Sequence, residues 1–263
     1  IKSPHKHPKI KYTIAEDLFK RSYTTLPMGK WKGKTFPDDT FFFPIEREGY
    51  RQNKLEKINA YDLFYLIGMF IADGVAEMKT RKERCKTGYN KREYMKCRNK
   101  KGQFVSPSKK GNKKYNIWNT YRIRFCVPKT DRNRKKLEDI LTRNNIKFTE
   151  QFHGQHIAVY YKELYEIFKE CGDNAYNKHI PPWVLEYDSS YLKKLWEGLM
   201  DGDGNEYYTI LTTVSPQLVA DCIELGWKIG KQTNFIYCER KNKCILKDCS
   251  VVEWRYVESQ FRG

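Results

Sequence analysis

The sequence predicts a mixed α+β protein organised around a repeated helix-then-strand unit, on three observations. Two nonamers, Leu66-Ile67-Gly68-Met69-Phe70-Ile71-Ala72-Asp73-Gly74 and Trp196-Glu197-Gly198-Leu199-Met200-Asp201-Gly202-Asp203-Gly204, superimpose without gaps, Asp73 falling on Asp203. The residues leading into each nonamer carry apolar side chains at helical spacing, and a strand pattern follows each one. Between and beyond them, runs alternating between apolar and polar residues mark further strands. A repeat of a whole supersecondary unit is a far stronger signal than either nonamer alone.

The elements follow in order. Residues 1–57 mix short apolar runs with turn signals such as Phe36-Pro37-Asp38-Asp39, and suggest strands and loops with a short helix around Ile14–Arg21. From Asn59 to Gly74 the stripe Leu63, Leu66, Ile67, Phe70 has the i, i+3, i+4, i+7 spacing of a helix. Asn59 is suited to cap its start, and Gly74 to end it in the left-handed conformation. Residues 79–118 contain 15 Lys and Arg against Glu83 and Glu93, with Tyr89, Tyr94, Phe104, Tyr115 and Trp118 interleaved. Such a segment is either a solvated loop or a basic hairpin following a nucleic-acid backbone, and its charge density favours phosphate contact. The candidate contacts there are Lys100, Lys101, Lys109, Lys110, Lys113 and Lys114. Tyr121–Val127 alternates as a strand, with Arg122 and Arg124 on one face and Ile123, Phe125 and Val127 on the other. Both arginines, and Lys129 just beyond, are candidate DNA contacts. Helices are expected at about Asp131–Asn144 and Lys162–Glu170, with a strand near Gln155–Tyr161 between them. After a loop at Asn177–Trp183 comes the second motif helix, about Ser190–Gly204, with its stripe Leu192, Leu195, Trp196, Leu199. A strand at Tyr207–Val214, a helix at Pro216–Ile229 and strands near Asn234–Glu239 and Val251–Val257 complete the pattern.

Bulk properties narrow the function classes. Fifty Lys and Arg against 32 Asp and Glu give a net charge of +18, which favours a polyanionic partner. Aromatic residues at 15% separate the chain from a disordered basic tail. No run approaches a membrane span, no basic amphipathic helix or lipidation motif points to acidic lipid, and the first residues have no apolar signal core. The expectation is an intracellular protein of unspecified compartment, with no membrane partner. The eight cysteines form no C-x-x-C pair; Cys238, Cys244 and Cys249 fit no standard zinc spacing, so thiols rather than disulfides or zinc are expected.

The repeat itself carries chemistry. Gly68 and Ala72 are four residues apart, as are Gly198 and Gly202, so each helix has a flat stripe of small residues that lets two backbones approach closely. Just beyond each stripe stands an acid, Asp73 or Asp203, at the negative end of the helix dipole, where a carboxylate is unfavourable. If the stripes pack together, both carboxylates meet at one end and need a counter-charge. A divalent cation supplies it, and Mg²⁺ suits a few carboxylates completed by water and phosphate oxygens.

The paired nonamers resemble the motifs of LAGLIDADG, or dodecapeptide, homing endonucleases of the double-motif type, similar to intein-encoded members. The resemblance spans roughly residues 59–236. It implies two pseudo-symmetric αββαββα halves, with motif helices paired at the axis and a saddle of antiparallel sheets lying in the DNA major groove. It implies that Asp73 and Asp203 bind metal, with Ala72 and Gly202 at the adjoining positions, and that Mg²⁺ is the cofactor, with Mn²⁺ able to substitute. Asp201 has Ile71 as its counterpart, which argues that it is not essential to the pair, although it could assist. Lys178-His179-Ile180-Pro181 resembles the Lys-x-Ile-Pro segment of intein-type members, which makes Lys178 a candidate catalytic base or phosphate-polarising group; otherwise it is a surface lysine before a proline turn. The implied organisation is an N-terminal extension over 1–57, intein-derived or DNA-contacting, a first half over 58–176 with a basic insertion at 79–118, and an abbreviated second half over 177–263. Ser3-Pro4-His5-Lys6-His7-Pro8 faintly resembles an intein splicing domain, but self-splicing by these residues is unsupported.

The function expected is metal-dependent cleavage of double-stranded DNA by a monomer at a long target. The rivals are an RNA maturase acting on intron RNA with the same scaffold, a DNA-binding regulator without cleavage, and a basic interaction protein.

Overall fold

A computed structural model of the chain describes residues 31–44, 54–84, 115–204, 210–231, 233–244 and 247–258. The expected helix at Ile14–Arg21 and the candidate contacts Lys100, Lys101, Lys109, Lys110, Lys113 and Lys114 lie outside them. The architecture is α+β: three antiparallel sheets packed around two central helices.

A short antiparallel pair, β1 (Thr40–Phe42) and β2 (Lys57–Asn59), leads into the first central helix, α1 (Ala60–Asp73). Asn59 caps α1 by accepting from the Asp62 amide. From Leu63 to Ile71 every residue of α1 is buried, as expected of a helix apolar all round. Gly74 does not end α1 in the left-handed conformation; its φ of −102° and ψ of 151° are extended. The glycine is needed instead for space, since a Cβ there would meet Phe70 Cα at 2.6 Å. The chain therefore runs from α1 directly into β3 (Gly74–Arg84), which pairs along its whole length with β4 (Tyr115–Phe125). Of the two readings of 79–118, a solvated loop or a basic hairpin, the described residues agree with the hairpin. The two ends of the segment are its strand arms, while residues 85–114 lie outside the described residues.

Next come α2 (Arg134–Arg143), β5 (Phe148–Gln151), β6 (His156–Val159) and α3 (Lys162–Phe168), the last followed by a 3-10 turn to Cys171. The sheet order β3-β4-β6-β5 completes an αββαββα unit. β5 was not anticipated: Phe148–Gln151 is too short to show alternation, and it is a strand because β6 pairs with it. Phe168 of α3 stacks on Phe70 of α1 at 4.7 Å and meets Phe125 of β4 edge-on at 6.0 Å, locking helix, sheet and covering helix together.

The second unit begins with α4 (Ser189–Asp203), capped by the Asp188 carboxylate on the Ser190 amide. It continues through β7 (Ile210–Thr213), α5 (Pro216–Ile229) and a long hairpin, β8 (Thr233–Cys244) and β9 (Lys247–Glu258). Its sheet order, β7-β9-β8, matches β4-β6-β5 of the first unit. A bridge from Gly204 to Leu211 stands where the first unit pairs Gly74 with Phe125. The later hairpin of the second half, β8–β9, is longer than expected, and residues 205–209 lie outside the described residues.

Residues 31–44 pack on the N-terminal end of the helix pair. Phe36 stacks on Tyr187 at 4.2 Å and meets Tyr191 and Phe64 edge-on, and the main chain from Trp31 to Lys34 bonds to residues 186–189. This part of the N-terminal segment therefore belongs to the core at the end opposite the two acids.

Candidate active site

Two glycines set the geometry. A Cβ built on Gly68 would overlap the Leu195 carbonyl oxygen and lie 2.8 Å from the Leu199 amide nitrogen; one built on Gly198 would overlap the Tyr65 carbonyl oxygen and lie 2.9 Å from the Met69 nitrogen. Each contact is the other moved by the offset between the motifs, Tyr65 corresponding to Leu195 and Met69 to Leu199. The contact is therefore isologous, the signature of a two-fold relation between α1 and α4. One turn further on, Gly202 faces its own counterpart, Ala72, so closely that a Cβ on the glycine would overlap the alanine methyl. The flat stripes pack as their spacing suggests, and Asp73 and Asp203 emerge at the same end.

The electrostatics of that end are unfavourable without a counter-ion. Among the described residues neither carboxylate has a hydrogen bond or ion pair to its side-chain oxygens. Burial among protein atoms raises the Asp73 carboxyl to about 6, with the negative field of Asp131 adding to the effect. Asp203, although its residue surface remains open to solvent, is raised to about 7, first by the crowding of protein around the carboxyl and then by Asp73. Two carboxylates held against two helix C-termini account for the direction.

Lys178 reaches the same end from the loop before α4. It is buried, and its ammonium donates to the carbonyls of Phe70 and Gly74, each at 2.9 Å, over the Phe70 ring at 4.0 Å. It therefore caps the last turn of α1. Desolvation lowers it to about 8, against the opposing pull of Cys171, Asp203 and Asp73.

The last turn of α4 is held differently. Asn133 donates through its amide to the Asp201 carbonyl at 2.7 Å. The Asp201 carboxylate, fully buried, accepts from Tyr65 Oη at 2.8 Å and pairs with Lys136 at 2.5 Å. Ile71, its counterpart on α1, makes none of these bonds, so Asp201 is a structural acid directed into the protein between α1, α2 and α4. A hollow of about 450 Å³ opens on that flank, between Tyr65, Lys135, Arg143 and Lys194, away from the paired acids.

The outward face of the first sheet begins where Asp73 ends. Register puts Val75 beside Arg124 and Glu77 beside Arg122, with the buried Ile123 and Phe125 on the reverse face. Both guanidiniums bond the single carboxylate of Glu77. Arg124 also lies 5.8 Å from the Phe152 ring, and the Nε of each arginine is buried without a partner. Lys129 is exposed and paired with Glu150 at 2.7 Å. Sequence reading missed Glu77, Asn133 and the Asp201–Lys136–Tyr65 group. Glu77 had a signal, an acid four residues beyond Asp73 in the strand expected after the motif, but its pairing with both arginines depends on the register with β4.

The residues fit a divalent cation bound by oxygen. Two unpartnered carboxylates converge where helix carbonyls also point, with no thiolate or imidazole among them, a donor set suited to Mg²⁺. No group of three or more His, Cys, Asp or Glu assembles among the described residues, so the remaining ligands would be carbonyl, phosphate or water oxygens.

Comparison with protein families and with curated proteins finds no match. Solved structures of homing endonucleases are similar to the chain. A mesophilic variant of I-DmoI is 10% identical over 76% of this chain and 85% of that one, with a TM-score of 0.42. A glycine-to-serine variant of I-DmoI in complex with its target DNA in the presence of Mg is 10% identical over 76% and 89%, at 0.43. I-DmoI with DNA and Mn is 12% identical over 76% and 90%, at 0.40.

Proposed function

We propose that this chain is a site-specific endonuclease that hydrolyses both strands of duplex DNA at a long, rare target, acting as a monomer with Mg²⁺ or Mn²⁺. The observation that carries the reading is the reciprocal packing of Gly68 and Gly198, which brings two otherwise unpartnered aspartates to one end of a helix pair in a strongly basic chain.

Asp73 and Asp203 hold the cation, with the adjoining Ala72 and Gly202 keeping the helix ends close. A divalent cation there supplies a water of lowered pKa and a Lewis acid for phosphate oxygen. Lys178 keeps the last turn of α1 in place and sets a positive charge beside the acids, which favours an approaching phosphate. Arg122 and Arg124 face base edges across the polar sheet face, and Lys129, with the basic residues of 85–114, contacts the phosphate backbone. No helix among the described residues is long and apolar enough to cross a membrane.

The test is a supercoiled plasmid carrying the uninterrupted insertion junction of the chain's own gene. Linear product is expected with Mg²⁺ or Mn²⁺ and none with EDTA. Asp73→Asn and Asp203→Asn should each lower cleavage by at least about a thousandfold while duplex binding persists. Normal cutting by Asp73→Asn would overturn the site. Tight binding to intron RNA with no duplex cleavage would replace the endonuclease with a maturase.

A further inference from the structure

We infer that Glu77 is a specificity-determining residue: with Arg122 and Arg124 it forms one preorganised unit that reads base-pair edges close to the cut. The inference rests on the endonuclease reading above and adds to it a residue and a position in the target.

The argument begins with how little freedom the arginines have. An arginine serving only the DNA backbone normally sweeps through solvent and meets phosphate as a mobile charge. Here the side chains of Arg122 and Arg124 are 20% and 17% exposed, and each bonds the same carboxylate, itself 25% exposed. Two adjacent rungs of one sheet face are fixed by a single acid lying directly opposite Arg122. Such a fork carries one net positive charge in place of two, so it gives up phosphate attraction in exchange for fixed direction. Each guanidinium also keeps a buried Nε–H without a partner. Those Nε–H groups are enclosed by protein and out of a base's reach, so contact with a guanine edge, which accepts at O6 and N7, falls to the terminal nitrogens of the fixed guanidiniums, while the carboxylate beside them accepts from cytosine N4. Against the wrong base, Glu77 faces acceptors and repels them, which is how a site rejects a competitor as well as binding a partner.

The position follows from the register. Glu77 lies four residues beyond Asp73 on a strand that starts at Gly74, which is roughly 13 Å at about 3.3 Å per residue. At about 3.4 Å per base pair that places the reading about four base pairs from the phosphate at the acids.

Neutralising Glu77 should thus do two things at once. It frees two guanidiniums to pair with phosphate, raising affinity for any duplex, and it removes the group that rejects wrong bases. Lys79, exposed and 3.8 Å from Glu77, provides the contrast, since it touches the fork only through charge.

The experiment is enrichment from a pool of duplexes randomised over a long window, with Ca²⁺ present, using wild type, Glu77→Gln, Arg122→Lys and Lys79→Gln, each first shown to melt cooperatively. The expected result is a wild-type motif that Glu77→Gln and Arg122→Lys relax about tenfold or more at the same one or two positions, three to five base pairs from the cut. Glu77→Gln should also bind unrelated duplex more tightly, and Lys79→Gln should weaken all duplexes evenly without changing the motif. If wild type yields a motif and Glu77→Gln yields the same one at full strength, the inference fails while the endonuclease reading stands. If wild type enriches no motif, the endonuclease reading fails and takes this inference with it.

Discussion

Asp73 is costly to the fold and, in the function proposed, necessary to the site. Its carboxyl is raised to about 6 and that of Asp203 to about 7, so between the ordinary carboxylate range near 4 and these values the folded chain binds more protons than the unfolded one. Stability from these groups is therefore present at low pH and lost as pH rises through 6 to 7. Lys178, lowered to about 8, behaves in the opposite sense: its cost is full below pH 8 and is relieved as pH rises towards 10.5. Without metal, at pH 8, Asp73→Asn should raise Tm by about 2–4 °C while removing cleavage, and the gain should shrink as pH falls below 6 and vanish only below about 4. A calorimetric series across that range checks it; a variant less stable than wild type at pH 8 would mean that Asp73 has a partner in the folded protein. Because protons and cation compete for the same oxygens, metal affinity should fall as pH drops through 7 to 6, measurable by titration with Mn²⁺.

At the scale of elements the decisive contact is α1 against α4. Ordinarily Gly→Ala within a helix is favourable by about 1 kcal/mol. At Gly68 the new methyl would overlap the Leu195 carbonyl oxygen, and at Gly198 the Tyr65 carbonyl oxygen, both backbone atoms that cannot rotate away. Gly68→Ala should therefore destabilise by about 2–4 kcal/mol and separate the acids, seen as a lower denaturation midpoint and lost cleavage. An unchanged midpoint would deny the close approach. Gly230, left-handed with φ of 77° at the end of α5 and open space around it, makes a control that costs only about 1 kcal/mol on mutation to Ala and leaves cleavage unaffected. The two helix ends are also tied down by different means. α1 is held by Lys178, whereas α4 is held by Asn133 and by the Asp201–Lys136–Tyr65 group. Asp201→Asn leaves Lys136 short of one partner and should cost about 1–3 kcal/mol without touching the acids, so stability should fall more than cleavage at low temperature.

Across the whole molecule the two halves share a core but carry their long hairpins at different places. The paired strands of the first half's long hairpin have 11 residues each and those of the second half's have 12, roughly 36–40 Å of arm. They stand at different places in the repeat, β3–β4 before α2 in the first half and β8–β9 after α5 in the second. A target matched to this chain is accordingly expected to be asymmetric. With a net charge of +18, binding to duplex should weaken about a thousandfold between 50 and 200 mM salt if some six phosphates are engaged. A filter-binding series measures it, and a flat response would remove the electrostatic premise. Since α1 of one half packs its full length on α4 of the other, the described halves should unfold together.

What could be read from the residues alone was whatever has a short-range signature: the repeat at fixed offset, the glycine stripes, the acids beyond them, and the helices at 60–73, 189–203 and 216–229, whose apolar spacing or capping residues are local. Tertiary structure decided the rest, because it depends on what lies opposite in space. A strand after the first motif was legible, but its length and its pairing with β4 were not; β5 exists because β6 pairs with it. Gly74 resembles a left-handed stop and is instead a gap for Phe70. Asp201 and Asp203 are two residues apart and chemically identical, yet one faces into the protein towards Tyr65 and Lys136 and the other out beside Asp73. Spacing told us that the acids recur. Only the packing of one helix on the other assigned them different work, since a carboxylate's role is set by the partners that reach it.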